Sequence, residues 1–331
     1  MAASSLDVVG IGNAIVDVLA QTDDSFLANQ KLTKATMALI DEKRAETLYA
    51  GMGPGIEMSG GSVANTIAGV ASLGGRGAYI GKVGNDQLGQ VFAHDLRATG
   101  VRYETPALTQ GPATARCLIL VTQDAQRTMN TFLGACVELG PEDIDREIIA
   151  AAQVTYLEGY LFDPPRAKAA IRAAAEIAHA AGRKVSLSLS DPFCVDRHRA
   201  EFRDLVHHHI DILFANEIEI CSLYETKSFE QAMRDVRGHC EIAALTKSAE
   251  GSVLVTDKEV QRIPSAPVAK VVDTTGAGDL YAAGVLYGLT HGYDLARAGR
   301  LGSLCAAEII SHFGARPETP LKSLAATAGL L

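Results

Sequence analysis

The clearest chemistry in the sequence lies in a carboxylate and the small residues before it. Gly276, Ala277 and Gly278 precede Asp279, and small and apolar residues follow. A helix that begins at such glycines presents unpaired N–H groups and the positive end of its dipole, which suit a phosphate. Asp279 would repel that phosphate unless it accepts a proton from the attacking group. The alternative is a helix cap, because Asp is favoured near helix starts. Spacing alone favours neither interpretation.

The elements around this motif predict how it is positioned. The run at 268–272, in which three of five residues are valine, predicts a short strand, and residues 280–285 predict a buried helix. From about residue 141 onward, predicted strands alternate with helices, which is typical of a parallel sheet with helices on both faces. Ligands of such sheets bind beyond the carboxyl ends of the strands. The polar residues that follow predicted strands should therefore share one rim with the 276–279 loop: Asn13, Glu158, Asp191 and Asn216.

Two segments resemble the signatures of one enzyme family. Asp-Thr-Thr-Gly-Ala-Gly-Asp at residues 273–279 resembles the C-terminal signature of the ribokinase-like (PfkB) kinases. The resemblance implies that Asp279 deprotonates the acceptor hydroxyl, while the Gly276, Ala277 and Gly278 amides form an anion hole for the transferred phosphoryl group. Gly-Gly-Ser-Val-Ala-Asn at residues 60–65 resembles the N-terminal signature. It implies that a sugar is bound by this loop and its Asn: Gly61, Ser62 and Asn65.

A second acidic residue lies near the N-terminus. Asp17 is surrounded by apolar residues, which by itself favours a turn or cap residue. Gly-Asn-x-x-x-Asp at residues 12–17 resembles a segment of adenosine kinases and ribokinases, which implies that Asp17, with Asn13 beside it, contacts sugar hydroxyls. Residues 10–13 begin like a dinucleotide fingerprint but lack its third glycine. Residues 81–83 miss a P-loop, because Val83 stands where Ser or Thr is needed.

The expected cofactors are ATP and Mg²⁺, with K⁺ as a further possibility. Asn216 and Glu219, three residues apart, share a helix face and suit the waters of hydrated Mg²⁺. An Asn cap followed by first-turn acids is the alternative. The resemblance to the family's Asn-x-x-Glu motif implies Mg²⁺ binding through water and contact with phosphate. Asp273 and Thr275 match positions where relatives bind a monovalent cation, and whether this chain binds one stays open.

The remaining candidates concern the nucleotide. Arg127, near the turn of a predicted hairpin at residues 112–132, is a candidate phosphate contact, with a solvated turn arginine as the alternative. Residues 243–251 resemble the strand and turn that lead into the nucleotide site, and residues 306–317 resemble the segment that flanks adenine. The further residues assigned in this way are Thr246, Lys247, Gly251 and Gly314.

The predicted fold is a three-layer α/β/α ribokinase-like fold with a mostly parallel central sheet and a small β-sheet lid. One kinase domain should span residues 1–331, with the lid formed by about 14–58 and 106–132 and the core by the remainder.

The net charge of -9 argues against nucleic acid or an acidic membrane as partner, and no apolar run could cross a bilayer. Scattered cysteines and an N-terminus without signal-peptide features are typical of a cytoplasmic protein. The histidines at 207–209 predict a surface helix end, since neighbours on a helix point about 100° apart.

Together these features predict an ATP-dependent kinase that phosphorylates the hydroxymethyl group of a nucleoside or sugar. The segments at 12–17, 60–62, 133–135 and 309–317 look closer to adenosine kinases than to ribokinase, so adenosine is the preferred acceptor. A ribokinase- or fructokinase-like sugar kinase is the alternative. A non-catalytic binding protein would be expected to have lost Asp279 or the glycines before it. The relatives leave both a monomer and a homodimer open.

Overall fold

The computed structural model describes residues 5–124 and 126–331. Residues 1–4, and Ala125 of the predicted turn at 123–126, lie outside the described residues. The strands are β1 (Leu6–Ile11), β2 (Ile15–Gln21), β3 (Met37–Leu39), β4 (Gly55–Ser59), β5 (Gly77–Ile80), β6 (Arg102–Tyr103), β7 (Ala115–Val121), β8 (Arg127–Phe132), β9 (Ala152–Glu158), β10 (Lys184–Ser188), β11 (Ile212–Asn216), β12 (Ile242–Thr246), β13 (Ser252–Val255) and β14 (Val260–Ile263).

Most α-helices connect these strands, and the described chain also contains four short 3₁₀ helices. The α-helices are α1 (Asp24–Asn29), α2 (Glu42–Gly51), α3 (Ser62–Ser72), α4 (Gln87–Ala98), α5 (Arg146–Ala151), α6 (Pro165–Ala180), α7 (Pro192–His208), α8 (Glu217–Leu223), α9 (Phe229–Val236), α10 (Ala277–Thr290), α11 (Leu295–Ile309) and α12 (Leu321–Thr327). The 3₁₀ helices are Gly134–Glu138, Pro141–Asp143, Gly159–Phe162 and Ser248–Glu250.

The larger sheet has nine strands in the order β14-β13-β12-β11-β10-β9-β1-β5-β6. The described strands pair in parallel from β12 to β6, whereas the pairs β12–β13 and β13–β14 are antiparallel. Strands such as β1 are buried on both faces, because helices cover both sides of a parallel sheet. Apolar residues of α5 to α9 pack on one face, and those of α3, α4 and α10 to α12 pack on the other. The predicted three-layer fold is confirmed.

The smaller sheet has five strands in the order β3-β8-β7-β2-β4. The predicted hairpin pairs β7 with β8, and β2 pairs in parallel with β7. One face is covered by α1 and α2 through an apolar cluster that includes Val18, Leu27 and Leu48. Its opposite face carries Asp17 and Arg127, since residues opposite each other in register share a face. All five strands lie within residues 15–59 and 115–132.

The predicted strand at residues 268–272 is wrong. This segment crosses the end of α11, where the N–H of Val272 donates to the carbonyl of Ile310 at 2.8 Å. The last carbonyls of a helix lack intrahelical partners, and here one of them takes the bond that a sheet neighbour would have provided. The 276–279 loop is therefore placed by α11 and α10, not by the end of a strand. The predicted buried helix after it is confirmed as α10.

The structure also shows where α7 begins, where the three consecutive histidines lie and whether the cysteines are paired. Helix α7 begins at Pro192, because Asp191 caps it through the N–H groups of Phe193 and Cys194. The histidines at 207–209 lie at the end of this helix, and within the described part of the chain no three His, Cys, Asp or Glu residues are grouped to hold a metal ion. All six cysteines are free. No described helix is long and apolar enough to span a bilayer.

Candidate active site

Asp279 lies in the first turn of α10, and its carboxylate faces α3. The Ser62 hydroxyl donates to Oδ1 at 2.6 Å, and the Asn65 side-chain amide donates to Oδ2 at 2.9 Å. Desolvation raises the pKa of Asp279, while these two hydrogen bonds and the charge of Arg316 oppose the rise. A helix cap would bond to its own first turn, whereas these contacts are with side chains of α3. A carboxylate with a raised pKa beside an open helix end is suited to accept a proton.

The beginning of α10 leaves backbone donors available. Gly276 adopts φ +76°, the left-handed conformation that glycine tolerates best, and provides no side-chain cap. The Ala277 N–H reaches the carbonyl of Thr274 at 3.3 Å. The N–H groups of Gly276, Gly278 and Asp279 have no acceptor within the described chain, and a Cβ on Gly278 would meet no atom within 4 Å. These three amides are available to bind an anion, and two of them, Gly276 and Gly278, are among the three that the family resemblance implies.

Glu158, at the carboxyl end of β9, joins the loop after β1 to the start of α3. Its Oε1 accepts the backbone N–H and the side-chain amide of Asn13 at 2.9 and 2.7 Å, and its Oε2 accepts the Val63 N–H at 3.1 Å. Gly61 adopts φ +91°, and a Cβ there would lie 2.3 Å from the carbonyl oxygen of Asn13, so the approach of these loops requires glycine. Burial, helped by the charge of Asp279, raises the pKa of Glu158 to about 7.

Asp17 lies within β2, not at a turn or cap. It is half-buried, and no described residue donates a hydrogen bond to its carboxylate. The carboxylate lies against the loop before α3, because a Cβ on Gly60 would be 2.2 Å from its Oδ2. Burial raises the pKa of Asp17 to about 7, with Arg316 lowering it and Asp279 raising it. Asp17 therefore presents unused acceptor sites close to Asp279.

Arg316 is the cation of this cluster. It donates to the carbonyls of Ser59 and Ala64 at 3.2 and 2.5 Å, and so ties the segment after α11 to β4 and α3. Burial lowers the pKa of Arg316 to about 10, while the charges of Asp17 and Asp279 oppose this change. Since the guanidinium stays protonated at neutral pH, it favours the ionised form of both carboxylates.

A second ion pair joins the smaller sheet to the loop before α10. Arg127 Nη1 lies 2.7 Å from Asp273 Oδ1, which also accepts the N–H and hydroxyl of Thr275 at 2.9 and 2.7 Å. Oδ2 of Asp273 accepts the N–H of Gly314 at 3.2 Å. Four predicted residues from three separate segments thus meet at one buried carboxylate. Arg127 therefore forms an ion pair and is not the solvated turn arginine that was the alternative.

Asn216 and Glu219 form a reciprocal cap at the start of α8. Asn216 Oδ1 accepts the Ile218 and Glu219 N–H groups, while the Asn216 side-chain amide and N–H donate to the Glu219 carboxylate at 2.6 and 2.9 Å. The capping geometry considered as the alternative is therefore present. Burial, aided by the charge of Asp191, raises the pKa of Glu219 to about 7. Within the described chain no Lys, Arg or His forms an ion pair with Glu219, so its charge is free to interact with a hydrated cation.

The other nucleotide candidates lie at the neighbouring strand end. Thr246 is opposite Asn216 in register, and the turn after it closes where the Lys247 N–H donates to the Gly251 carbonyl at 2.8 Å. The Lys247 ammonium pairs with Glu250 at 2.8 Å. The structure thus places this turn on the same rim but directs the lysine to its own turn rather than to the 276–279 loop.

A family model decides the classification of the chain. The model for the pfkB family of carbohydrate kinases matches residues 56–322. The chain belongs to the pfkB family. It is therefore an ATP-dependent kinase, as predicted, and its fold is the ribokinase-like fold of that family. Kinases of this family use ATP, usually with Mg²⁺, and a small-molecule acceptor.

Similar pfkB kinases differ in the acceptor that their names state. The adenosine kinase structure from Sinorhizobium meliloti is 53% identical, with a TM-score of 0.92, and the match covers 98% of this chain and 100% of that one. A probable sugar kinase from Rhizobium etli CFN 42 is 52% identical, with a TM-score of 0.93, over 99% and 100% of the two chains. Adenosine kinase from Saccharomyces cerevisiae is 26% identical over 93% of this chain and 95% of its own length.

The sequence predicted the loop that carries Asp279 but not the roles of two residues around it. Arg316 belonged only to a segment assigned to adenine, and Glu158 was placed on the rim without a role. Glu158 was detectable as an acid at the end of an apolar strand, a costly position without partners. The partners of Arg316 lie 257 and 252 residues earlier in the chain, so no local pattern reveals them.

We expect Arg316→Gln to move the acid limb of the kcat/KM profile of this pfkB kinase to higher pH by about one unit. Loss of the positive charge raises the pKa of Asp279 and Asp17 further, so that a higher pH is needed to ionise them. Kinetics across the pH range measure the shift. Arg316→Lys, which keeps the charge but not the hydrogen-bond geometry, should shift the limb less; equal shifts in both variants would refute the electrostatic explanation.

The stability of the unliganded protein should fall as pH rises from about 4.5 to 7. Asp17, Glu158 and Glu219 each have a folded-state pKa of about 7, above the value in an unfolded chain, so folding binds protons in this window. Each group contributes at most about 1.4 kcal/mol per pH unit. Urea unfolding at several pH values measures the slope, which Glu158→Gln should reduce. A free energy of unfolding that rises throughout the window would contradict the prediction.

Proposed function

We propose that this chain transfers the γ-phosphoryl group of ATP to the hydroxymethyl group of a nucleoside, with adenosine as the preferred acceptor. The observation that carries the proposal is the juxtaposition of Asp279 with three backbone N–H groups that lack acceptors in the described chain. A phosphoryl transfer needs positioning and charge stabilisation more than covalent help. Asp279 would take the acceptor proton, and the amides of Gly276, Gly278 and Asp279, with Ala277 in the same turn, would hold the phosphoryl oxygens.

The acceptor would lie between the smaller sheet and the loop before α3. Asp17 offers unused acceptor sites for sugar hydroxyls, and Asn65 would add its amide oxygen, which is buried without a partner. Gly61 and Ser62 shape the loop beneath, and Asn13, held by Glu158, supports it. We propose that residues 14–58 and 106–132 act as the lid of one kinase domain. Closure would remove water from the reacting groups.

The choice of a nucleoside rests on the apolar character of the lid face that carries Asp17. In register beside Asp17 and Leu19 lie Cys117, Ile119, Ile56 and Met58. On this face Ile56 leaves 68% of its surface exposed, so an apolar surface lies beside the carboxylate of Asp17. A nucleobase would cover such a surface favourably, whereas a free sugar needs polar groups there. The adenosine kinase similarity at 53% identity supports the same choice.

The cofactor proposals follow from the donors present. Glu219 is a buried carboxylate near Asp191 without a cationic partner in the described chain, and it fits a hydrated Mg²⁺ that Asn216 and Glu219 would hold through water. Mg²⁺ supplies neutralisation of phosphate charge. Arg127 has further N–H groups for a phosphate oxygen. We assign the nucleotide to the rim that carries Thr246, Lys247, Gly251 and Gly314.

The experiment that tests the function measures ADP release with ATP and Mg²⁺ when adenosine, ribose, fructose and 2-keto-3-deoxygluconate are offered separately. We expect turnover with adenosine and AMP as the product by mass spectrometry. 5′-Deoxyadenosine, which lacks the reacting hydroxyl, should inhibit without turnover. Turnover with a free sugar would instead assign a sugar kinase. Adenosine binding by calorimetry without any turnover would favour a non-catalytic binding protein.

A further inference from the structure

Asp273, the residue that the family resemblance marks for a monovalent cation, already accepts from four donors of the described chain, three of them at Oδ1. Its Oδ1 is shared by the guanidinium of Arg127 and by the N–H and hydroxyl of Thr275, and Oδ2 accepts the Gly314 N–H. A carboxylate oxygen offers about two lone-pair sites. A cation could therefore bind Oδ1 only by displacing the guanidinium.

The charges around Asp273 lead to the same conclusion. The Asp273 side chain is only 2% exposed, and a buried carboxylate needs a compensating positive charge. Arg127 supplies that charge, and in the described chain it forms no other ion pair. A monovalent cation at the same oxygen would face the guanidinium as a like charge in a poorly solvated place. The residues present do not fit K⁺.

The position of Arg127 gives this ion pair a structural consequence. Arg127 begins β8 of the smaller sheet, whereas Asp273 precedes Gly276 in the loop that opens α10. Asp273 also holds Gly314, two residues before Arg316. The pair therefore fastens the smaller sheet both to the loop of the anion site and to the segment that carries the buried cation of the acceptor site.

We propose that the guanidinium of Arg127 replaces a bound monovalent cation at Asp273, so that the loop before α10 is ordered without K⁺. The order of this loop then depends on the position of the smaller sheet instead of on the salt composition. This inference goes beyond the proposed function and does not depend on which acceptor is phosphorylated.

The test measures thermal unfolding of the full chain in choline chloride, NaCl and KCl at equal ionic strength. The wild-type protein should have the same Tm in all three salts. The substitution Arg127→Met removes the guanidinium from the Asp273 carboxylate. The Tm of this variant should be about 2 °C or more higher in KCl than in choline chloride, because a ligand that binds only the folded state stabilises it. Adding Asp273→Asn to Arg127→Met should abolish that response. Arg116→Met, the same change on the neighbouring strand β7, should give no response to K⁺.

Two results would overturn the proposal. One is a K⁺-specific rise of Tm in the wild-type protein, and the other is an Arg127→Met variant that folds but does not respond to K⁺. If Arg127→Met is too unstable to measure, Tl⁺ serves as the probe with the wild-type chain. A saturable ²⁰⁵Tl NMR signal from bound ion refutes the replacement, and its absence supports it. Turnover is not measured in any of these experiments, so failure of the proposed kinase function would not affect them.

Discussion

We expect Asp279→Asn to lower kcat by about 10²–10⁴-fold while the KM for ATP and the acceptor changes little. Asparagine retains the size and can still interact with Ser62 and Asn65, but its amide cannot accept the proton of the attacking hydroxyl. The interaction that is lost is made only as the proton moves, so the loss appears in kcat. Steady-state kinetics with ATP and Mg²⁺ measure it.

The matched control is Asp294→Asn. Asp294 caps α11 by accepting the N–H of Arg297 at 2.7 Å, and it is the same residue type at another helix start. A cap contributes typically about 1 kcal/mol to stability and nothing to proton transfer. If Asp279 were also only a cap, both substitutions would lower Tm slightly and leave kcat unchanged. Near-normal turnover of Asp279→Asn would remove the general base from the proposed mechanism.

Asp17→Asn should have the second large effect, a fall in kcat/KM for the acceptor of about 10²–10³-fold. Each hydrogen bond from a hydroxyl to a charged carboxylate contributes about 1.5–3 kcal/mol, and two would be weakened together. The stability of the protein should change in the opposite direction. At pH values above about 7 Asp17 is ionised and receives no hydrogen bond from the described chain, so replacing it with the neutral asparagine should raise Tm. Kinetics and unfolding of one preparation give both results.

Asp24→Asn is the control for this change, because Asp24 belongs to the same part of the chain but is 73% exposed and pairs with Lys34 at the surface. It should alter neither kcat/KM nor Tm by much, since exposed ion pairs contribute about 0–1 kcal/mol. The KM for ATP should stay unchanged in both variants. An Asp17→Asn variant that binds the acceptor normally would show that the sugar is held elsewhere.

Local sequence was enough for the features that depend on neighbouring residues. The glycines at 276 and 278 predicted the start of α10, because glycine conformation and helix periodicity are local properties. The alternation of strands and helices likewise predicted the parallel sheet, since a parallel connection must cross over the sheet through a helix.

The strand predicted at residues 268–272 shows where local reasoning fails. Its β-branched residues favour an extended chain, and the chain is not helical there, but strand formation requires a partner. The partner that the fold provides is the free carbonyl of Ile310 at the end of α11. Whether an extended segment joins a sheet is therefore decided by what lies beside it.

The sequence by itself determined the family, the parallel α/β core and the loop that carries Asp279, because these follow from contiguous motifs and periodic patterns. Only the tertiary structure decided which charges meet: Glu158 with Asn13, 145 residues apart, Arg127 with Asp273, and Arg316 with the carboxylates around it. The physical reason is that a buried charge is stabilised by whichever opposite charge or donor the fold brings within a few ångströms, and sequence separation does not limit that choice.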